Sequence, residues 1–272
     1  MSSVEYVLGT SQEELERLIW QDRMILRPIT EKLLHRAGVS TGMRVLDLGC
    51  GTGGVSMLAA SLVGPRGSVV GIDQSPEAIA LARHCALESG LHNIDFQVSS
   101  IEDFRSNLAF DAAVGRYVLM FQPSPSSFIS AAKQHVRRGG IVAFHELYAS
   151  FGTHSIPTYP EWEMLTKCLE HGFLRTIPSP GAGGKLVEHF TSAGLSCPHL
   201  FSEMLVGGGA HSHIFRWLTG VVRTLLPQLL KSGAITEEEV GIDALEERLR
   251  RGAMETSAQV YGPPNICAWT TV

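Results

Sequence analysis

Twelve residues, Met43 to Gly54 (MRVLDLGCGTGG), limit what this chain of 272 residues can fold into more than any other stretch. Their first half is apolar up to Asp47, as in a buried parallel strand, and their second half is glycine-dense before a helical pattern begins. This reads as strand, turn and helix. Gly49, Gly51 and Gly53 stand at alternate positions, so the backbone can turn sharply and approach a ligand at the positive end of the next helix. A nucleotide-like ligand suits such a turn. The next strand, Ser68 to Ile72, ends at Asp73, twenty residues past Gly53, where a carboxylate can accept hydrogen bonds from both ribose hydroxyls, with Gln74 beside it.

The segment Val45-Leu-Asp-Leu-Gly-Cys-Gly-Thr-Gly53, followed by Val70-Gly-Ile-Asp73, resembles motifs I and II of the class I S-adenosylmethionine-dependent methyltransferases. The resemblance implies S-adenosyl-L-methionine as cofactor. A nicotinamide-dependent oxidoreductase would show G-x-G-x-x-G, whereas here Asp47 precedes glycines at alternate positions, which disfavours that class. A third class, a protein that binds the cofactor without transferring its methyl group, such as a cyclase, shares the motif and stays open.

Length and a hydrophobic content of 44% suit one large domain with insertions. The net charge is −5 and the basic residues are scattered, so nucleic acid is not the expected partner. Five cysteines, Cys50, Cys85, Cys168, Cys197 and Cys267, are widely spaced and form no C-x-x-C pair, which fits reduced thiols in the cytoplasm. Met1 to Gly9 lacks a basic region followed by an apolar run, and no stretch approaches the roughly 20 apolar residues of a membrane span. A soluble, cytoplasmic protein is expected, and a homodimer is compatible with the sequence.

The expected fold is α/β: a doubly wound, Rossmann-like seven-stranded sheet, mostly parallel with the last strand antiparallel, under a helical lid. Residues 1–40 form an N-terminal helical cap, 41–147 the cofactor core, 148–257 the lid with a core helix and the sixth strand, and 258–272 the final strand. In the cap, Ser11 and Glu14 read as a capping box, Pro28 divides the tract into two helices, and Gln21 or Tyr6 reaches into the site. Ser75 caps a helix that opens at Pro76. Ser124 to Arg138 reads as a helix ended by Arg137-Arg138-Gly139-Gly140. Ser196 to Val206 is the sixth strand, and His211 to Lys231 and Thr236 to Arg251 are helices, the second with acidic residues at its start and arginines at its end.

Gly115, Arg116 and Tyr117 follow the fourth strand at its carboxyl end, where open α/β sheets place ligands. Given the resemblance, Arg116 suits the carboxylate of the cofactor's methionine moiety. The resemblance also places Ser100, Ile101 and Glu102 beside the adenine. A hydroxyl acceptor needs a base, and His145 and Glu146 end the fifth strand beside the crevice, with one of the two expected to face the ligand. His211, with His213 near it, follows a triple-glycine turn and is the other catalytic candidate. These four residues lack a recognisable metal-ligand spacing, and no metal is expected. Aromatics such as Tyr117, Trp162 and Trp217 suggest a hydrophobic or aromatic small-molecule acceptor.

Overall fold

The structure, a computed structural model, describes residues 11–233 and 235–272. Ser11 caps α1 (Gln12–Gln21) by accepting from the Glu14 amide at 3.2 Å. A π-helical turn (Asp22–Leu26) leads directly into α2 (Arg27–Ala37). The expected break at Pro28 is therefore absent. Pro28 lies in the first turn of α2, where a missing N–H and a fixed φ are tolerated, and the irregularity falls upstream in the wider turn. Tyr6 lies outside the described residues.

The core follows as β1 (Arg44–Leu48), α3 (Gly54–Val63), β2 (Ser68–Asp73), α4 (Pro76–Glu88), β3 (Ile94–Val98), β4 (Phe110–Arg116), α5 (Pro125–Gln134) and β5 (Val136–Leu147). Ser75 caps α4 from the Ala78 amide, with Pro76 in its first turn. Arg137 to Gly140 are a correction. They do not end a helix but belong to β5, because α5 stops at Gln134, and Gly139 and Gly140 pair with Val272 at the end of the chain. Beyond come β6 (His154–Ile156), α6 (Pro160–Thr176), α7 (Leu186–Ser192), β7 (His199–Glu203), β8 (Val206–Gly207), α8 (His213–Lys231), α9 (Glu237–Val240), α10 (Ile242–Thr256), β9 (Gln259–Tyr261) and β10 (Asn265–Thr271).

Seven strands form one sheet in the order β3-β2-β1-β4-β5-β10-β7. The pairs from β3 to β5 are parallel, and β10 runs antiparallel to both β5 and β7. Strand order reverses between β1 and β4, so the ligand crevice of a doubly wound sheet opens at their carboxyl ends. The expected fold class is the one found. A second sheet, β6-β9-β8, was not expected, because strands of two or three residues carry too little alternation to be read.

One face of the sheet packs α2 and α3 through Leu33, Leu34, Val55 and Leu58. The other buries Phe144 against Phe128 and Phe190, in a cluster that continues into Trp162, Phe215 and Trp217 of the later helices. The expected helix from Thr236 to Arg251 is two helices, because Gly241 adopts φ +50° between them. Arg248 and Arg250 consequently sit inside α10, bonded to the Val240 carbonyl and to Glu246, rather than at a helix end.

Candidate cofactor site

The glycine turn after β1 is built from left-handed backbone. Gly49, Gly51 and Gly53 have φ of +66°, +52° and +82°, a region that side-chain-bearing residues occupy at a cost of about 1–2 kcal/mol each. Open space surrounds the missing side chain of Gly51, whereas a Cβ on Gly53 would stand 2.9 Å from the Phe96 ring. Asp73 at the end of β2 closes the turn from the other side: Oδ2 accepts from the Gly51 amide and Oδ1 from the Ser75 amide, both at 2.9 Å. Its carboxylate thus joins β2 to the loop while remaining partly exposed.

Asp47 is 1% exposed and accepts from the Ser56 hydroxyl at 2.6 Å, tying β1 to the first turn of α3. Burial pushes its carboxyl up to about 6, against the opposing pull of Ser56 and Arg116. Its second oxygen has no hydrogen-bond partner among the described residues. Beside β3, Ile101 is buried, Ser100 is half-buried and bonded to Asp103, and Gln74 and Glu102 are exposed.

At the end of β4, Gly115 leaves no room for a side chain between Phe144 and Val118. Arg116, with a side chain 12% exposed, pairs with Asp22 at 2.7 Å and donates to the Thr30 hydroxyl at 3.1 Å. The Asp22 carboxylate in turn lies against the Gly54 backbone, where a Cβ would meet its atoms at 2.6–2.9 Å. Tyr117 holds φ +54°, its amide donating to the His145 carbonyl and its hydroxyl to Asn265 Oδ1 at 2.5 Å. A cavity of about 170 Å³ opens between the π-helical turn and the helices α3 and α4, walled by Asp22, Arg23, Thr52, Gly54, Met57 and Cys85.

The catalytic expectations fare differently. His145 and Glu146 are both 0% exposed. His145 meets the Thr30 hydroxyl through Nδ1 and Asn265 Oδ1 through Nε2, each at 2.9 Å, and burial with the nearby Arg116 charge lowers its pKa to about 3. Glu146 Oε1 accepts the Val118 and Leu119 amides at 3.0 Å, holding the turn after β4, and burial raises its carboxyl to about 7. Alternation along β5 puts the two side chains on opposite faces of the strand, His145 against Thr30 and Asn265 and Glu146 against the turn after β4. His211 is exposed in the loop before α8, and His213 stands edge-on to Trp20 at 5.8 Å. Gln21 is buried, its oxygen accepting from Arg17 at 2.6 Å and from the Trp217 indole at 3.0 Å, so it joins α1 to α8.

Asp22, Thr30 and Asn265 were missed from the sequence. Asp22 reads as one more polar residue of an amphipathic helix, and the contacts that define Thr30 and Asn265 span 86 to 148 residues of chain. Among the described residues, no group of three or more His, Cys, Asp and Glu side chains is placed to hold a metal ion.

Comparison with known proteins fits this arrangement. Residues 39–171 match a family described as a methyltransferase domain. The aklanonic acid methyltransferase DauC of Streptomyces sp. strain C5 is 33% identical over 167 residues, covering 61% of this chain and 74% of that protein. Ubiquinone biosynthesis O-methyltransferases also match, that of Pasteurella multocida being 33% identical over 48% of this chain and 60% of its own length. Among solved structures, the Bacillus subtilis YcgJ protein superposes with a TM-score of 0.58 at 15% identity, covering 90% of this chain and 99% of that one. The [4+2]-cyclase SpnF does so at 0.53 and 20%, covering 90% and 80%, so the fold alone does not separate the two chemistries.

Proposed function

The chain belongs to the class I S-adenosylmethionine-dependent methyltransferases, and from that premise we propose that it methylates a small hydrophobic or aromatic metabolite bound beneath its later helices. The single observation that carries the cofactor half of this reading is the left-handed glycine turn closed by Asp73. The residues suit the cofactor on three counts. The space at Gly51 admits a ligand against bare backbone, Asp73 offers a partly exposed carboxylate to ribose hydroxyls, and Arg116 with Asp22 offers one charge of each sign to a zwitterionic methionine moiety. Ile101 supplies an apolar wall for the adenine, with Ser100, Glu102 and Gln74 around it.

The bound cofactor supplies an activated methyl group on a sulfonium leaving group. This chain's residues then have to align an acceptor with that methyl group and keep water away. His145 and Glu146 are buried and engaged with protein partners, and in this reading alignment carries the catalysis. The names of the relatives, which concern aklanonic acid and ubiquinone biosynthesis, support an apolar acceptor. Five free cysteines are in keeping with a reducing compartment, and no helix among the described residues is long and apolar enough to cross a membrane.

Incubation with methyl-labelled cofactor and a pool of aromatic hydroxy acids and quinols tests the reading. Label entering an organic product, with matching S-adenosylhomocysteine, is expected. Tight cofactor binding with no label transfer to any acceptor in the pool would favour a non-methylating enzyme. Hydrogen exchange around Gln21 should slow when S-adenosylhomocysteine is added, if the N-terminal helices close over the cofactor.

A further inference from the structure

His145 is sealed from solvent, and yet it sits in a chain of polar contacts that ends at the candidate cofactor site. Arg116 Nη1 donates to Thr30 Oγ1, Thr30 Oγ1 meets His145 Nδ1, His145 Nε2 meets Asn265 Oδ1, and the Tyr117 hydroxyl donates to the same Oδ1. Thr30 also lies 3.1 Å from the Leu26 carbonyl. The proton inventory decides how these contacts run. Thr30 has one proton and already accepts from Arg116, and a neutral imidazole has one N–H. If Thr30 donated to Leu26, His145 would carry its proton on Nδ1, and a bare Nε2 would face the Asn265 oxygen lone pairs at 2.9 Å. Turning the Asn265 amide over would mend that contact and strand the Tyr117 O–H instead. If Thr30 donates to Nδ1, the proton sits on Nε2, and all four contacts pair a donor with an acceptor.

We propose that Thr30, His145 and Asn265 are positioning residues of the cofactor site, together holding the Arg116 guanidinium in the orientation that meets the cofactor's carboxylate. This rests on the reading of Arg116 as a cofactor-binding residue. Three features set the arrangement apart from ordinary core packing. The chain places a row of polar groups where apolar side chains would pack without desolvation cost. Its far end pins Tyr117, a residue with a side chain, in the left-handed region directly after Arg116. And a planar guanidinium recognises a carboxylate best when its plane is fixed, which the Thr30 hydroxyl does together with the Asp22 carboxylate on the same nitrogen.

Two measurements test it. The first is the nitrogen-15 spectrum of His145 in the wild-type protein: a proton on Nε2 is expected, and a proton on Nδ1 overturns the assignment without any substitution. The second is calorimetry with S-adenosylhomocysteine on Thr30→Val, Thr30→Ser, Arg116→Gln and the double variant Arg116→Gln/Thr30→Val. Thr30→Val should weaken binding about tenfold, Thr30→Ser should restore it to within about twofold, and Thr30→Val should add less than about twofold once Arg116 is gone, as coupled residues do. Undiminished affinity in Thr30→Val, or the same tenfold loss in both backgrounds, overturns the proposal while leaving the cofactor site in place. Wild-type affinity in Arg116→Gln is a different failure: it removes Arg116 from the site, and the positioning role with it.

Discussion

The carboxyl ends of β2 and β5 both carry ionisable side chains at the rim of one crevice, and the protein uses them in opposite ways. Asp73 stays partly exposed, anchored by two backbone amides with lone pairs to spare. His145 and Glu146 are sealed, one bound to Thr30 of α2 and Asn265 of β10 and the other to backbone amides of the turn after β4. A strand end thus supplies an address but no role. The role is set by what the neighbouring loop and layers leave unsatisfied, and at Asp73 they leave a carboxylate that is partly exposed.

The contrast can be broken first at the rim. Gly53→Ala would place a side chain at φ +82° and a Cβ 2.9 Å from Phe96 and 3.1 Å from Ala82, a combined cost of about 2–5 kcal/mol from left-handed backbone and overpacking. Denaturant unfolding should show that loss, together with loss of cofactor binding, and a variant as stable as the wild type would mean that the turn can relax. At the sealed end, Glu146 binds protons more tightly folded, near pH 7, than unfolded, near 4.5. Its contribution therefore lowers stability as pH rises through that window, whereas His145, lowered to about 3, gains stability for the fold as pH rises toward 6.5. In Glu146→Gln the change in unfolding free energy from pH 4.5 to pH 8 should be about 3 kcal/mol more favourable than in the wild type, at about 1.4 kcal/mol per pKa unit. An unaltered pH profile would mean that Glu146 is not sealed in solution. The smallest effect concerns the helices above. Trp217→Phe removes the indole bond to Gln21 and should lower stability by about 0.5–1.5 kcal/mol, with cofactor affinity within about twofold. A much larger affinity loss would show that this joint belongs to the rim.

The same contrast explains what the sequence revealed. The glycine turn and Asp73 were legible because their chemistry is local: backbone freedom and a carboxylate at fixed spacing along consecutive elements. The mostly parallel sheet followed from the alternation of strand and helix patterns up to Leu147. His145 and Glu146 were placed correctly at a strand end, but the partners of His145 were not legible, because Thr30 lies 115 residues and Asn265 120 residues away from it in the chain. Asp22 left no signal at all, since its meaning comes from packing on Gly54 and pairing with Arg116. Beyond Leu147, short strands and helices broken by Gly241 carry too little periodicity to fix their bounds.

The central claim is that the glycine turn with Asp73 is the cofactor site of this methyltransferase, and calorimetric titration with S-adenosylhomocysteine tests it most directly. The wild-type protein should bind one equivalent, and Asp73→Ala should lose about 1.5–3 kcal/mol, the range for hydrogen bonds to a charged group, or roughly ten- to a hundredfold in affinity. Wild-type affinity in Asp73→Ala, with the fold intact by circular dichroism, would contradict the account.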